Sequence, residues 1–361
     1  MTESISSNPD LNSFKALHPS LGVGQARANV NIALIKYWGK SSAITNQPAV
    51  GSLSLTLDEW GSKTKVSWVD RGEVTNHSFF LNGQERSDSK VDRLLNELLL
   101  LAERYGHRWA GVGQAWAVVE SQNTVPTASG LASSASGMAA LGLAAWSALG
   151  WQNPLITTSD QRRQEPTRQE LIDLVRIGSG SAVRSLLGGV VRLEQDGQTM
   201  KQLCTEETWP LALVICVVDP GPKSISSREG MERTRLTSPY YSAWVESHQA
   251  DLEAAEKAVD TRDLDTLGEL MEHSTFKMHS VMWASKPPLR YLKSTSFSVL
   301  DGVELLRKQG VSAWATMDAG PHVKVLCLQP DVDVVVDSLS RISGLHSCVV
   351  RFPGRAASII E

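Results

Sequence analysis

The sequence predicts an α+β fold divided into two domains that share a cleft, and three observations carry that expectation. The chain has 361 residues, beyond the roughly 250–300 at which one core usually splits. Period-two alternation and 3.6-residue spacing occur in both halves and mix irregularly, without a strict strand–helix repeat. A loop of small residues, from Pro126 to Gly137, opens directly into an apolar helical run, Met138 to Leu149.

Taken in order, Met1 to Ala28 is mostly polar and lacks the apolar stretch of a signal peptide. Residues 1–24 have no periodic core face and read as a flexible tail. Val30 to Lys36 reads as a strand, and Ser52 to Leu57 and Ser62 to Asp70 as two more with alternating faces. Val91 to Tyr105 has the spacing of an amphipathic helix. Gln114 to Ser121 is a strand leading into the small-residue loop, and Pro154 to Pro166 a polar surface excursion. Leu171 to Ile177 is helical until Gly178-Ser-Gly-Ser181 interrupts it, and Val190 to Glu194 is a strand. Charge and glycine break the pattern at 195–208, which sets the expected domains at 25–205 and 206–361. In the second, Leu211 to Val218 is a continuous apolar run suited to a buried strand. Tyr240 to Val259, Leu264 to Met278, Thr295 to Lys308 and Val332 to Ile342 have helical spacing. Ala313 to Met317, Val323 to Leu328 and Ser347 to Phe352 read as strands.

Composition narrows the function. At 42% hydrophobic and 20% charged the chain is an ordinary globular protein. A net charge of -4 argues against nucleic-acid binding. No run of about 18 apolar residues exists to span a membrane. The four cysteines form no Cys-x-x-Cys pair, so a zinc ribbon is not expected. Free buried thiols fit a reducing, cytoplasmic setting.

Four polar clusters stand inside apolar frames. The small-residue loop has the features of a phosphate site. Gly130 supplies a bend, and the following helix offers unpaired N–H groups. Ser129, Ser133, Ser134 and Ser136 offer hydroxyls for phosphate oxygens or a hard cation such as Mg²⁺. No Gly-Lys-Ser/Thr follows, so this is not a Walker loop, and close helix packing explains small residues equally well. The second cluster runs from Asn31 to Lys40. Lys36 ends an apolar strand, where a lysine needs a partner or an anion. Tyr37 and Lys40 add a hydroxyl and a second charge, although a strand that ends and emerges into a basic turn accounts for the same residues. In the third, Ser181 is placed to cap a helical turn and Arg184 presents a planar fork suited to a carboxylate. In the fourth, Asp318 stands at a strand-to-turn corner before Ala-Gly-Pro321, which suits a turn or a base aimed into a cleft. A further segment, Lys223 to Met231, reads as a solvated turn or an anion loop containing Ser227 and Arg228.

Together these strings resemble the diphosphomevalonate decarboxylase family of the GHMP kinase superfamily. The matching segments are Asn31-Ile-Ala-Leu-Ile-Lys-Tyr-Trp-Gly-Lys40, Pro126 to Gly137, Gly178-Ser-Gly-Ser-Ala-Val-Arg-Ser185, and Met317-Asp-Ala-Gly-Pro321. Ser226-Ser-Arg-Glu-Gly-Met231 and Thr234 to Pro239 resemble bacterial members. The order and spacing hold over about residues 27–330. The resemblance implies a GHMP kinase fold, with a ribosomal-protein-S5-domain-2-like N-terminal domain and a smaller α+β C-terminal domain. It implies ATP and Mg²⁺ as cofactors, phosphorylation of a tertiary alcohol, then loss of phosphate and CO₂. By resemblance Asp318, Lys36 and Arg184 are catalytic. Asn31, Tyr37, Lys40, Ser179, Ser181, Ser227 and Arg228 bind substrate. Ser129, Gly130, Ser133, Ser134 and Ser136 hold ATP phosphates, with Ser133 or Ser134 near Mg²⁺. A homodimer is the family's common assembly. A 3-kinase, a monophosphate-specific decarboxylase and a non-catalytic ligand sensor are the alternatives. Three departures stand out: Ser41-Ser42 where a basic-acidic pair is usual, Val50-Gly51-Ser52 in place of Asn-Ser-Ser, and His322 in place of Asn.

Overall fold

The computed structural model describes residues 20–42, 45–70, 76–107, 115–125, 133–156, 165–221 and 225–360. The expected loop residues Ser129 and Gly130, and 157–164 of the expected surface excursion, lie outside them.

The chain opens with β1 (Ser20–Ile35), whose first residues fall inside the stretch expected as a tail. A short ribbon follows, β2 (Lys40–Ser42) with β3 (Gln47–Pro48). The two strands expected at 52–57 and 62–70 are one, β4 (Ser52–Asp70). The polar break Asp58-Glu59 does not end it. Glu59 adopts φ 51°, and the register against β1 jumps from Asn29↔Gly61 to Asn31↔Thr56, so residues 57–60 bulge and the strand resumes. Then come β5 (Ser78–Leu81), β6 (Gln84–Arg86) and α1 (Ser89–Arg104), capped by Asp88, whose carboxylate accepts from the Lys90 N–H. Next are β7 (Ala115–Asn123), α2 (Ser133–Ala148) and α3 (Arg168–Gly178), which starts with a Thr167/Glu170 capping box. A 3₁₀ turn, Gly180–Leu186, follows. Its cap is Ser179, without a side-chain bond, so the capping role expected of Ser181 is not filled.

The expected break at 195–208 holds the turn and second strand of a hairpin formed by β8 (Val190–Leu193) and β9 (Met200–Cys204). Asp196 closes it by accepting from the N–H groups of Gln198 and Thr199. The second half contains β10 (Leu211–Val217), α4 (Ser227–Thr237), α5 (Tyr241–Thr261), α6 (Leu264–Trp283) and α7 (Ser294–Lys308). It continues with β11 (Trp314–Met317), β12 (Val323–Leu328), α8 (Val332–Ser340), β13 (Ser347–Arg351) and β14 (Ser358–Ile360).

Two sheets organise the molecule. The larger has the central order β14-β1-β4-β7-β5-β6, with β8 and β9 extending from β4. One face packs on α1, α2 and α3 through Ala26, Ala28, Val66 and Trp68. Gly24 is needed there, because a Cβ would stand 2.3 Å from the Ala144 carbonyl oxygen of α2. The smaller sheet has the antiparallel order β11-β12-β10-β13.

Strand β10 shows why a buried strand reads as continuously apolar. Ala212, Val214 and Cys216 pack toward α7 and α8, whereas Leu211, Leu213 and Ile215 pack toward the larger sheet. There they meet Val30, Ile32 and Leu34 of β1 together with Leu252, Leu267 and Met271 of α5 and α6. A shared apolar core thus holds the end of β1 against the second half, and β14 returns to pair with β1.

Candidate active site

A cavity of about 430 Å³ opens where β1 ends against the β11–β12 turn. Lys36 is the first residue past β1 and is 1% exposed. Its backbone N–H donates to Ser274 Oγ at 2.9 Å, and its Nζ donates to the Ala33 carbonyl at 3.0 Å. The same ammonium meets Asp318 Oδ1 at 2.7 Å. Asp318 follows β11, and its side chain is 29% exposed, facing the cavity.

A second ammonium completes the cluster. Lys324 Nζ lies 2.8 Å from Asp318 Oδ2 and its side chain is 2% exposed. The motif reading passed over Lys324. Its signal was a lysine inside an apolar strand: Val323, Val325 and Cys327 face α7 and α8, so Lys324 takes the opposite face, toward β1.

Burial opposes ionisation of Asp318, but the Lys324 and Lys36 ammoniums prevail and hold the carboxyl well below its usual range. Burial lowers Lys36 to about 8, against the opposing pull of Asp318. Burial likewise lowers Arg184 to about 10, so it is charged at neutral pH.

Arg184 comes from the 3₁₀ turn and is 3% exposed. Its Nε donates to Asn31 Oδ1 at 3.0 Å and its Nη1 to Ser52 Oγ at 2.7 Å. Asn31 is fixed in turn by donating to the Ser181 carbonyl at 3.2 Å and to Ser185 Oγ at 2.7 Å. Its side chain therefore aims Arg184. The Arg184 guanidinium also lies over the Tyr37 ring, 5.6 Å from its centre. Ser179 and Ser181 line the wall with their hydroxyls 3.2 Å apart. Gly180 leaves room on this wall: a Cβ there would stand 2.3 Å from the Tyr37 hydroxyl and 2.8 Å from the Asn46 backbone carbonyl.

The opposite rim is cationic. Lys40, Lys90 and Arg228 all line the cavity. Lys40 donates to Asn46 Oδ1 at 2.6 Å, and Asn46 anchors on the Arg176 and Ile177 carbonyls. Burial, then Arg228 and Lys90, lower Lys40 to about 8. The expected turn around Ser227 is the start of α4, whose Ser226 cap accepts from the Glu229 N–H. Ser226, Ser227 and Arg228 thus face the cavity from a helix N-terminus, which favours an anion.

Ser134, exposed at the start of α2, also lines the cavity. The side chain of Ser133 lies outside the described residues. Ser136 differs from the expected phosphate role. It is buried, and its hydroxyl meets Ser62 Oγ at 2.9 Å beneath the helix. Residues two apart on a helix face different ways, so one serine of this run can face the cavity while the other faces the sheet.

The three departures have distinct surroundings. The Ser41 hydroxyl donates to the Pro48 carbonyl at 3.1 Å. Ser52 receives Arg184, and Gly51 offers its carbonyl to His248 Nε2 at 2.9 Å. His322 is buried and accepts the Val218 N–H through Nδ1, away from the cavity lining.

Sequence comparison matches two domain families in tandem. Residues 28–205 match the diphosphomevalonate decarboxylase-like N-terminal domain. Residues 213–356 match the mevalonate 5-diphosphate decarboxylase C-terminal domain. The chain belongs to the diphosphomevalonate decarboxylase family. A diphosphomevalonate decarboxylase of Candida albicans is 33% identical over 329 residues, covering 88% of this chain and 87% of that protein. Among solved structures, mevalonate diphosphate decarboxylase from Staphylococcus aureus superimposes with a TM-score of 0.80 at 34% identity, over 94% of this chain and 98% of that one. The enzyme from Enterococcus faecalis, described in terms of mevalonate-diphosphate-mediated ATP binding, gives 0.79 at 34% identity over 94% and 99%. Membership in the decarboxylase family covers both halves of the chain, so the cavity between them lies within the matched region.

Proposed function

We propose that this chain catalyses the ATP-dependent decarboxylation of (R)-5-diphosphomevalonate to isopentenyl diphosphate, releasing ADP, phosphate and CO₂. The observation that carries the reading is Asp318, ionised between Lys36 and Lys324, in one cavity with Arg184 and a cationic rim.

The substrate's 3-hydroxyl donates to the Asp318 carboxylate, which orients its oxygen toward the γ-phosphorus. The new O–P bond forms as the bond to ADP breaks. Lys36 counters the charge that develops on the phosphoryl group. The 3-phosphate then departs with its C–O electron pair. The pair of the breaking C–C bond becomes the alkene, and CO₂ leaves. Arg184 holds the carboxylate in the geometry that keeps these two bonds aligned. A tight ground-state pair alone would oppose the step, so its benefit is orientation. Lys40, Arg228 and the α4 N-terminus receive the diphosphate, with Tyr37, Ser179 and Ser181 along the wall.

A second, more apolar cavity of about 190 Å³ shares Lys90 and Ser134 with the first and is lined by Phe79, Val91, Val119 and Leu141. It suits a nucleobase, with the ATP phosphates running past α2 to the first cavity. A solved structure described as MDDEF in complex with MVAPP, AMPPCP and magnesium superimposes with a TM-score of 0.79 at 34% identity. Mg²⁺ neutralises phosphate charge during transfer. Among the described residues there is no cluster of three His, Cys, Asp or Glu to cage a metal. The Ser134 hydroxyl, a hard oxygen donor at the phosphate end, fits a Mg²⁺ ion carried on the nucleotide.

The test is stoichiometry with (R)-5-diphosphomevalonate and ATP. ADP, CO₂ and free phosphate should appear in equal amounts. ADP without CO₂ would identify a 3-kinase, and binding without turnover a sensor. Preference for the 5-monophosphate in the same assay would reassign the substrate.

A further inference from the structure

We propose that Lys324 is a positioning residue of the reaction, clamping one oxygen of Asp318 so that this carboxylate orients the substrate hydroxyl and does not carry away its proton. The inference deepens the function proposed above and rests on it.

Charge balance gives the first argument. A lysine buried in a strand needs one counter-charge, and a neutral Lys–Asp pair would satisfy it. Here Asp318 is shared by two ammoniums, at 2.7 Å and 2.8 Å. Arg184 stands in the same cavity with neutral partners, Asn31 and Ser52. Among the described residues, Lys36 and Lys324 have no other carboxylate partner, and Arg184 has none. The cluster therefore carries an excess of positive charge that a structural pair has no use for. An anionic substrate supplies the balance.

Geometry gives the second argument. A carboxylate has about four lone-pair sites, and the two ammoniums occupy one on each oxygen. The exposed part of Asp318 still faces the cavity, so it can accept the substrate's O–H. The groups facing it come from every packed element: Lys36 at the end of β1, Lys324 on β12, Arg184 on the 3₁₀ turn and His279 on α6. His279 is buried and lowered to about 4, chiefly by burial and then by Lys36, so it adds no charge at neutral pH.

The proton then has a better acceptor. A phosphate monoester takes its second proton with a pKa of about 6, far above a carboxylate held by two ammoniums. As the hydroxyl oxygen bonds phosphorus and ADP departs, the O–H proton moves to an oxygen of the transferred phosphoryl group. ATP⁴⁻ and the alcohol thus become ADP³⁻ and a singly protonated phosphate ester, and charge balances.

The experiment begins with wild-type turnover of (R)-5-diphosphomevalonate and ATP; its absence would sink the proposed function and not reach Lys324. Given turnover, Lys324→Met and Lys324→Gln are measured. We expect kcat to fall about tenfold or more, with KM within about threefold. The Asp318 carboxyl midpoint, read by carbon-13 NMR of aspartate-labelled enzyme, should rise in Lys324→Met relative to wild type, because a neighbouring positive charge is lost. Lys324→Arg should recover part of kcat and bring the midpoint back down. A folded Lys324→Met variant with wild-type kcat, or with an unmoved Asp318 midpoint, overturns the proposal. A check needing no Lys324 variant is carbon-13 NMR of aspartate-labelled wild type, with Asp318 assigned by difference from Asp318→Asn. That carboxyl should stay ionised down to about pH 4, the ordinary aspartate range; a midpoint above it overturns the proposal as well.

Discussion

Arg184→Lys keeps the charge and removes the fork. In the structure the guanidinium makes two buried, charge-assisted bonds, to Asn31 and Ser52 at 3.0 and 2.7 Å. Hydrogen bonds of this kind contribute about 1.5–3 kcal/mol each. A lysine ammonium is one point charge, and it cannot serve both acceptors while also gripping a carboxylate bidentately. It also enters a site where burial already lowers an arginine to about 10. Taking about 3 kcal/mol as the part expressed in the transition state, kcat/KM should fall about 10²-fold. The loss should fall mainly on bond cleavage after phosphorylation. In an assay following ADP and CO₂ together, CO₂ should lag behind ADP. A decrease under about threefold, with both products still in step, would refute the assignment of Arg184 to the substrate carboxylate.

Asp318→Asn should lower kcat by about 10²-fold, as lost positioning of the hydroxyl does, while nucleotide still binds. It also leaves Lys36 and Lys324 buried without a counter-charge, so thermal denaturation should report a loss of about 3–5 kcal/mol. Normal turnover would remove Asp318 from the mechanism. Lys40 is lowered to about 8, so it is charged below that pH and neutral above it. Substrate KM should therefore rise as pH climbs through about 8, and Lys40→Met should abolish that dependence; a limb that survives in the variant belongs to another group. Gly180→Ala places a Cβ 2.3 Å from the Tyr37 hydroxyl and 2.8 Å from the Asn46 carbonyl. Overpacking of this kind costs about 1–3 kcal/mol, and KM should rise with it. Unchanged KM and melting temperature would mean that this wall yields freely.

The sequence fared best where one residue's chemistry was at odds with its neighbours. Lys36 after an apolar strand and Arg184 among Val183, Leu186 and Leu187 stood out without coordinates, because an unpaired charge in such a frame is costly. Most long elements were legible by period, since α1 and β10 bury one stripe or both faces in simple patterns. Continuity was less legible. A glance at Asp58-Glu59 suggests an end, yet a bulge lets β4 run from 52 to 70 because residues on both sides still have β1 to pair with. The start of α4 likewise read as a turn, since its polar residues face a cavity and not a core.

By itself, then, the sequence determined most of the long strands and helices and that Lys36 and Arg184 needed partners, because those follow from local period and the cost of burying charge. Tertiary structure alone decided who the partners are. Lys36, Arg184, Asp318 and Lys324 come from the beginning, middle and end of the chain, and only the packing of β1 against the second sheet brings them to one cavity. The direction of a serine was decided the same way. Ser134 and Ser136 are identical in chemistry and two residues apart, and the sheet beneath α2 determines that one is exposed and the other buried.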